Sequence, residues 1–269
     1  MKEQHTSRQS FLGADSDSQI SSAKIGIVGL GGGGSHVAQQ LAHVGFSDYV
    51  LFDPDIVKRH NLNRLVGGTI ADAGARRKKI AVANRTILGL RPDARVEAQP
   101  RRWQEKPRRL RECDIVFGCT DGFNERRELE AFTRRHLIPY IDIGLDVHQV
   151  DDEPPRMAGQ VILSMPGHPC MWCMGFLTER AVQREAAAYG KAGIRPQVVW
   201  ANGVLASTAV GIAVDLLTDW TKSLRSRCYL CYDANTGHVY PHKRLEFLSD
   251  CQCPHYSPDE VGSPLLKRI

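Results

Sequence analysis

The sequence predicts an α/β fold, a doubly wound and mostly parallel sheet extended by antiparallel strands in its second half. Three observations predict it. From residue 24 to about 145, short apolar runs alternate with helix-length segments, the pattern of buried parallel strands joined by crossover helices. The first run opens directly into "GLGGGGS" at 29–35, five glycines in seven positions. After 145 the texture changes to segments that read as antiparallel strands, with a turn at 235–237.

Taken in order, residues 1–23 form an N-terminal arm and 24–29 a buried strand. A helix follows over 35–43, ended by Gly45. "DYVLFDPD" (48–55) is a second strand that finishes in acids, completing a βαβ unit. A helical stretch at 72–90 leads to strands at 94–99 and 113–119, a helix over 124–135 and a strand at 138–144. Strands at 159–165 and within 227–243 enclose a long apolar helix at 198–218. The expectation is one domain over 1–269, with a first half at 24–145 and a second at 146–269.

Composition agrees with an ordinary soluble globular protein: 42% hydrophobic and 24% charged residues. The net charge of +5, from 35 basic and 30 acidic residues, is modest. Much of the basic excess lies in 76–79 and 101–111, strips that read as solvated faces; no nucleic-acid partner is expected. The N-terminal "MKEQHTSRQS" has no apolar core of a signal peptide. Residues 198–218 are long enough to span a bilayer and carry no Lys or Arg. They also contain Asn202 and Asp215, and an Asp near a span costs roughly 3 kcal/mol on insertion. A buried core or dimer helix fits better, so no membrane is expected. Eight cysteines without a signal peptide then point to a cytoplasmic protein that uses thiols for metal or catalysis.

Gly29, Gly31 and Gly34 fit G-x-G-x-x-G between a strand and a helix, with Gly32 in the same turn. Such a Rossmann-like turn lets backbone N–H groups approach a phosphate at a helix N-terminus. Asp53, at the end of the next strand, suits ribose hydroxyls. The surroundings narrow the nucleotide. Asp55, Asn61, Asn63 and Arg64 follow at once, and Asp121 stands just past a strand end, where open α/β sheets bind ligands. An ATP-cleaving enzyme needs both an arginine and an acid at the polyphosphate, to offset charge and to hold Mg²⁺. An NAD(P)-dependent oxidoreductase needs neither.

In their order and spacing, "RQ" (8–9), "GLGGGGS" (29–35), "DPD…NLNR" (53–64), "CTD" (119–121) and "PGHPCMWC" (166–173) resemble the ThiF/MoeB-like adenylyltransferases, the family that includes ubiquitin-activating enzymes. The resemblance spans Arg8 to about Cys253. It implies ATP- and Mg²⁺-dependent adenylation of the C-terminal carboxylate of a ubiquitin-like or sulfur-carrier protein ending in Gly, or of a peptide. By position, Asp53 resembles the ribose ligand, Asp121 the acid that organises Mg²⁺, and Arg64 the arginine on the triphosphate. Arg8 resembles an arginine that reaches ATP from the partner subunit, so a homodimer is implied. The family's lysine maps to Lys79, with Arg77 and Lys78 as alternatives. Gly122 departs from the family, which carries a polar residue after the magnesium acid.

Cys170 and Cys173 form a C-x-x-C able to grip one tetrahedral zinc. The family's second pair resembles Cys251 and Cys253, which would make a structural Zn²⁺ site that pins the C-terminal segment; Cys228 with Cys231 is the alternative pair, and His255 a further candidate. Cys113 and Cys119 flank an apolar strand and read as core thiols. Between Cys173 and Cys228 there is no cysteine, so no covalent thioester on the enzyme is expected. A catalytically inactive adapter is disfavoured by the presence of Arg8, Arg64, Asp53 and Asp121.

Overall fold

The computed structural model describes residues 6–149, 152–187, 196–248 and 253–256. Its strands are β1 (Lys24–Val28), β2 (Asp48–Phe52), β3 (Arg95–Gln99), β4 (Ile115–Gly118), β5 (Tyr140–His148), β6 (Arg156–Ser164), β7 (Tyr229–Asp233) and β8 (His238–Pro241). They form one sheet in the order β3-β2-β1-β4-β5-β6-β7-β8. The pairs from β3 to β5 are parallel, and those from β5 to β8 antiparallel. This is the expected mixed sheet. The interior parallel strands are apolar along their length because both faces are covered: Ile25, Ile27, Val50, Leu51, Val116 and Phe117 are all buried.

The helices are α1 (Ser16–Ser22), α2 (Gly32–Val44), α3 (Ile70–Gly74), α4 (Lys79–Leu90), α5 (Phe123–Arg135), α6 (Glu179–Ala187) and α7 (Val199–Thr218). Helix α2 begins three residues earlier than the sequence suggests, so the glycines form its first turn. The close approach explains them: a Cβ on Gly34 would lie 1.9 Å from the Gly29 carbonyl oxygen. Gly45 ends α2 at φ +118, its N–H bonded to the Leu41 carbonyl at 3.1 Å. The stretch at 72–90 is two helices, broken where Arg76 takes φ +48 and Lys78 bridges to Ile56. Neither α1 nor α6 is anticipated by the sequence. The turn at 235–237 joins β7 to β8, with Gly237 at φ +78.

Helix α7 is the only helix among the described residues long and apolar enough to cross a membrane. It is instead packed against α2, β5 and β6, with Leu205, Ala209, Ile212 and Ala213 buried. Its Asp215, also buried, accepts from the Thr221 N–H (3.0 Å) and hydroxyl and faces Arg227 at 3.3 Å. That capping accounts for an acid in an apolar helix.

Candidate active site

A cleft of about 290 Å³ opens over the C-terminal ends of β1, β2, β4 and β5. Gly29, Gly31 and Gly32 line one side of it. Gly29 sits at φ +87, and a Cβ there would be 2.5 Å from the Cys119 carbonyl oxygen, so only glycine fits. Behind them Gly34 does not line the cleft; it lets α2 press onto the turn.

Asp53 ends β2 in the cleft, only 3% exposed. Its carboxylate accepts from the Leu30 N–H at 2.6 Å and the Asp55 N–H at 2.8 Å. Burial pushes its pKa up, while the Lys79 charge and these amides pull it back. Lys79 pairs with Asp55 at 2.7 Å, and both line the cleft. The two alternatives for the lysine role do not line the cleft: Arg77 pairs with Asp72 at 2.8 Å, and Lys78 donates to the Pro54 carbonyl at 2.8 Å.

Asn61 and Arg64 also line the cleft. The Asn61 side-chain oxygen caps its own turn by accepting from the Lys58 N–H at 2.9 Å. Arg64 donates to the His60 carbonyl (2.8 Å) and to the Asn63 side chain (2.9 Å). Asn63 is outside the cleft wall and donates to the Gln197 carbonyl at 2.9 Å, bracing Arg64 from behind. Arg8 is exposed and does not line the cleft of its own chain.

Asp121 follows β4, lines the cleft and accepts from the Gln197 side-chain amide at 3.1 Å. Gly122 is the N-cap of α5. A Cβ on it would lie 2.8 Å from a Glu185 carboxylate oxygen, and Glu185 caps α5 by accepting from the Asn124 N–H at 2.8 Å. The glycine that departs from the family pattern thus makes room for a cap supplied by α6.

Sequence reasoning misses several lining residues. Arg101 and Arg102 belong to a strip expected to be solvated, yet both line the cleft, as does Trp103. The correction has a simple cause: past Gln99 the chain turns over the end of the sheet. Their position just after a strand C-terminus is the signal that could have found them. Arg109, farther along the strip, does pair on the surface with Glu97 and Glu112. Arg126, 7% exposed, donates to the carbonyls of Thr120 (2.8 Å) and Ile143 (3.3 Å) and faces the buried Asp142 at 3.3 Å. Burial raises the Asp142 pKa, and the Arg126 charge opposes that. The Cys119 thiol also lines the cleft, and burial holds its pKa far above the usual range.

Away from the cleft, Cys170, Cys173, Cys253 and His255 place four ligand atoms within 4.8 Å of one another. The Sγ atoms of Cys170 and Cys173 are 3.6 Å apart, and those of Cys173 and Cys253 3.7 Å. His255 Nδ1 lies 3.5 Å and 3.3 Å from the first two sulfurs. Tetrahedral Zn²⁺ with bonds of about 2.3 Å to sulfur needs sulfurs about 3.7 Å apart, so the donor set fits zinc. Cys251 lies outside the described residues. Cys228 and Cys231 are not in the cluster; Cys228 immediately precedes β7 and Cys231 lies within it. The tail is pinned a second time by Tyr256, whose hydroxyl donates to the buried Glu130 at 3.0 Å.

A model of the ThiF family matches residues 4–255. The chain is 29% identical over 226 residues to the SAMP-activating enzyme E1 of Haloferax volcanii, covering 83% of this chain and 77% of that one. It is 27% identical over 236 residues to the molybdopterin-synthase adenylyltransferase of Escherichia coli, covering 85% and 87%. Among solved structures, E. coli MccB with ATP superposes at a TM-score of 0.70 and 21% identity, covering 90% of this chain and 72% of MccB.

Proposed function

The chain belongs to the ThiF family, and from that premise we propose that it adenylates a C-terminal carboxylate with ATP and Mg²⁺, releasing pyrophosphate. One observation carries the reading: a single cleft holds the glycine turn, Asp53, Arg64, Lys79 and Asp121. The glycine-turn amides and the α2 N-terminus receive phosphate, and Asp53 receives the ribose. Arg64 and Lys79 offset the charge of the polyphosphate.

A carboxylate oxygen of the acyl donor attacks the α-phosphorus of ATP. The bond from that phosphorus to the bridging β-phosphate oxygen breaks, and pyrophosphate leaves with the electron pair. The attacking carboxylate is already ionised at neutral pH, so the step needs no general base. Asp121 offers the hard oxygen that Mg²⁺ prefers. When bound, that cation neutralises charge on the departing pyrophosphate.

The acyl donor is a ubiquitin-like or sulfur-carrier protein ending in Gly, or a peptide. The names of two relatives, a SAMP-activating enzyme E1 and a molybdopterin-synthase adenylyltransferase, support the protein donor. Arg8, exposed and away from its own cleft, serves the partner's cleft in a homodimer. Zinc is structural, and the whole chain acts as one adenylation domain in the cytoplasm.

The test is ATP–pyrophosphate exchange with small Gly-terminated proteins and peptides, with the acyl-adenylate identified by mass spectrometry. Exchange that depends on a free C-terminal carboxylate supports the reading. ATP binding without exchange for any donor would favour an inactive adapter, and NAD(P)-linked redox turnover an oxidoreductase.

A further inference from the structure

We propose that the Glu125 carboxylate accepts a hydrogen bond from the exocyclic amino group of adenine, making Glu125 a specificity-determining residue of the cleft. The inference rests on the ATP-binding part of the reading above and deepens it by naming what meets the base.

The first support is order along the sheet. Neighbouring strands β1, β2 and β3 lead into the glycine turn, Asp53 and the segment 100–103 respectively. Strands lie about 4.8 Å apart. A nucleotide with its phosphates at the glycine turn and its ribose at Asp53 therefore extends its base toward the end of β3. Arg101 and Arg102 line the cleft there.

The second support is the side of α5 on which Glu125 stands. Glu125, Glu128 and Phe132 recur at i, i+3 and i+7, which places them on one side of the helix. That side is turned to the segment after β3. Glu128 accepts from the Gln104 side chain at 2.9 Å, and Phe132 packs on Trp103 with ring centroids 5.3 Å apart. Glu125 lies one turn nearer the start of α5, where the helix meets the cleft, and it lines the cleft itself. Arg126, the next residue, is turned instead to Asp142 on β5.

The third support is an open acceptor. Glu125 is half-buried, and among the described residues no hydrogen bond or ion pair engages its carboxylate. Neither oxygen is sealed off from solvent, so a ligand in the cleft can reach them. Burial pushes its pKa up, the Arg102 charge pulls it down, and the charges of Glu128, Asp121 and Asp53 add to the rise. An ionised carboxylate only accepts. The 6-amino group carries the only N–H donors of the adenine ring in a nucleotide. Hypoxanthine and guanine have an oxygen at that place, which a carboxylate repels.

The experiment is calorimetric titration of the full-length chain, with Mg²⁺, using ATP, purine riboside triphosphate, ITP and inorganic tripolyphosphate. Purine riboside has hydrogen where adenosine has the amino group, and inosine has oxygen. We expect the wild type to bind ATP about tenfold more tightly than purine riboside triphosphate and about 100-fold more tightly than ITP. Glu125→Ala should bind ATP and purine riboside triphosphate within about twofold of each other. Glu125→Gln, whose amide can donate to an oxygen, should narrow the preference for ATP over ITP by about tenfold. Removing a negative charge strengthens the binding of every polyphosphate, and tripolyphosphate measures that shift. The readout is therefore the ratio between nucleotides. The α5 dipole also favours an acid in the first turn, a contribution that cancels in the ratio. If Glu125→Ala keeps the wild-type ratio of ATP to purine riboside triphosphate, or if the wild type does not tell the two apart, the proposal is overturned. Absence of pyrophosphate exchange would count against adenylation alone, because base selectivity is read from binding.

Discussion

The Asp53 carboxylate accepts the Leu30 N–H at 2.6 Å and thereby ties the end of β2 to the glycine turn that follows β1. The residue expected at the ribose also fixes the loop expected at the phosphates. Asp53→Ala should therefore weaken ATP and tripolyphosphate binding together, whereas a residue touching ribose alone would affect only ATP. Titration of both ligands checks this, with a loss of about tenfold or more for each.

Asp121 follows β4, the neighbour of the strand that opens into that turn, and lines the same cleft. Asp121→Ala should lower substrate-dependent ATP–pyrophosphate exchange by about 100-fold or more, the usual scale for losing a preorganised charge partner. Its side chain is on the rim and not in the core, so the melting temperature should stay close to that of the wild type. Full exchange activity would remove Asp121 from the reaction.

Arg8 should act across a dimer. Arg8→Ala and Asp121→Ala subunits, each inactive alone, should regain activity when mixed and refolded together, because one heterodimer cleft then has both groups. Heterodimers that form and stay inactive would refute action in trans.

The thiol cluster should release about one zinc per chain on denaturation. Cys253→Ser and His255→Ala should each lose metal and melt earlier, since a structural zinc contributes folding free energy directly. Cys228→Ser with Cys231→Ser should retain it. Metal analysis of the purified variants decides between the pairs.

Asp72 makes stability depend on pH. Hydrogen bonds from Arg85, with those from Thr69, hold its carboxyl well below the usual range, and Arg77 adds an ion pair at 2.8 Å. Its folded pKa is depressed, so its contribution is complete above the unfolded value of about 3.9 and is lost as the pH falls through the folded value. Asp72→Asn should cost about 1–2 kcal/mol at pH 7, since both arginines are half-exposed and screened. Urea midpoints of the two proteins should converge as the pH drops below about 4.

The parallel strands were legible because burial on both faces forces continuous apolar runs, and the glycine turn because no other residue tolerates its close contacts. Asp53 and Asp121, just past the ends of β2 and β4, and Arg64, marked by the family motif, all line one cleft. The resemblance maps the lysine to Lys79 with Arg77 and Lys78 as alternatives, and only the fold shows that Arg77 is taken by Asp72. Arg101 and Arg102 were hidden by a run of charge whose other members are truly on the surface. His255 stood only as a further candidate, because only the folded tail brings its ring beside sulfurs more than eighty positions earlier.

The space that a side chain at 122 would enter is held by the Glu185 carboxylate, so the two positions are coupled through one small volume. A side chain gained at 122 pushes the Glu185 carboxylate off its place at the N-terminus of α5, at the cost of the cap it gives the Asn124 N–H. Directed evolution aimed at new acyl donors meets the same constraint. A library that varies the cleft rim one position at a time would discard substitutions at 122 that a paired change at 185 could rescue.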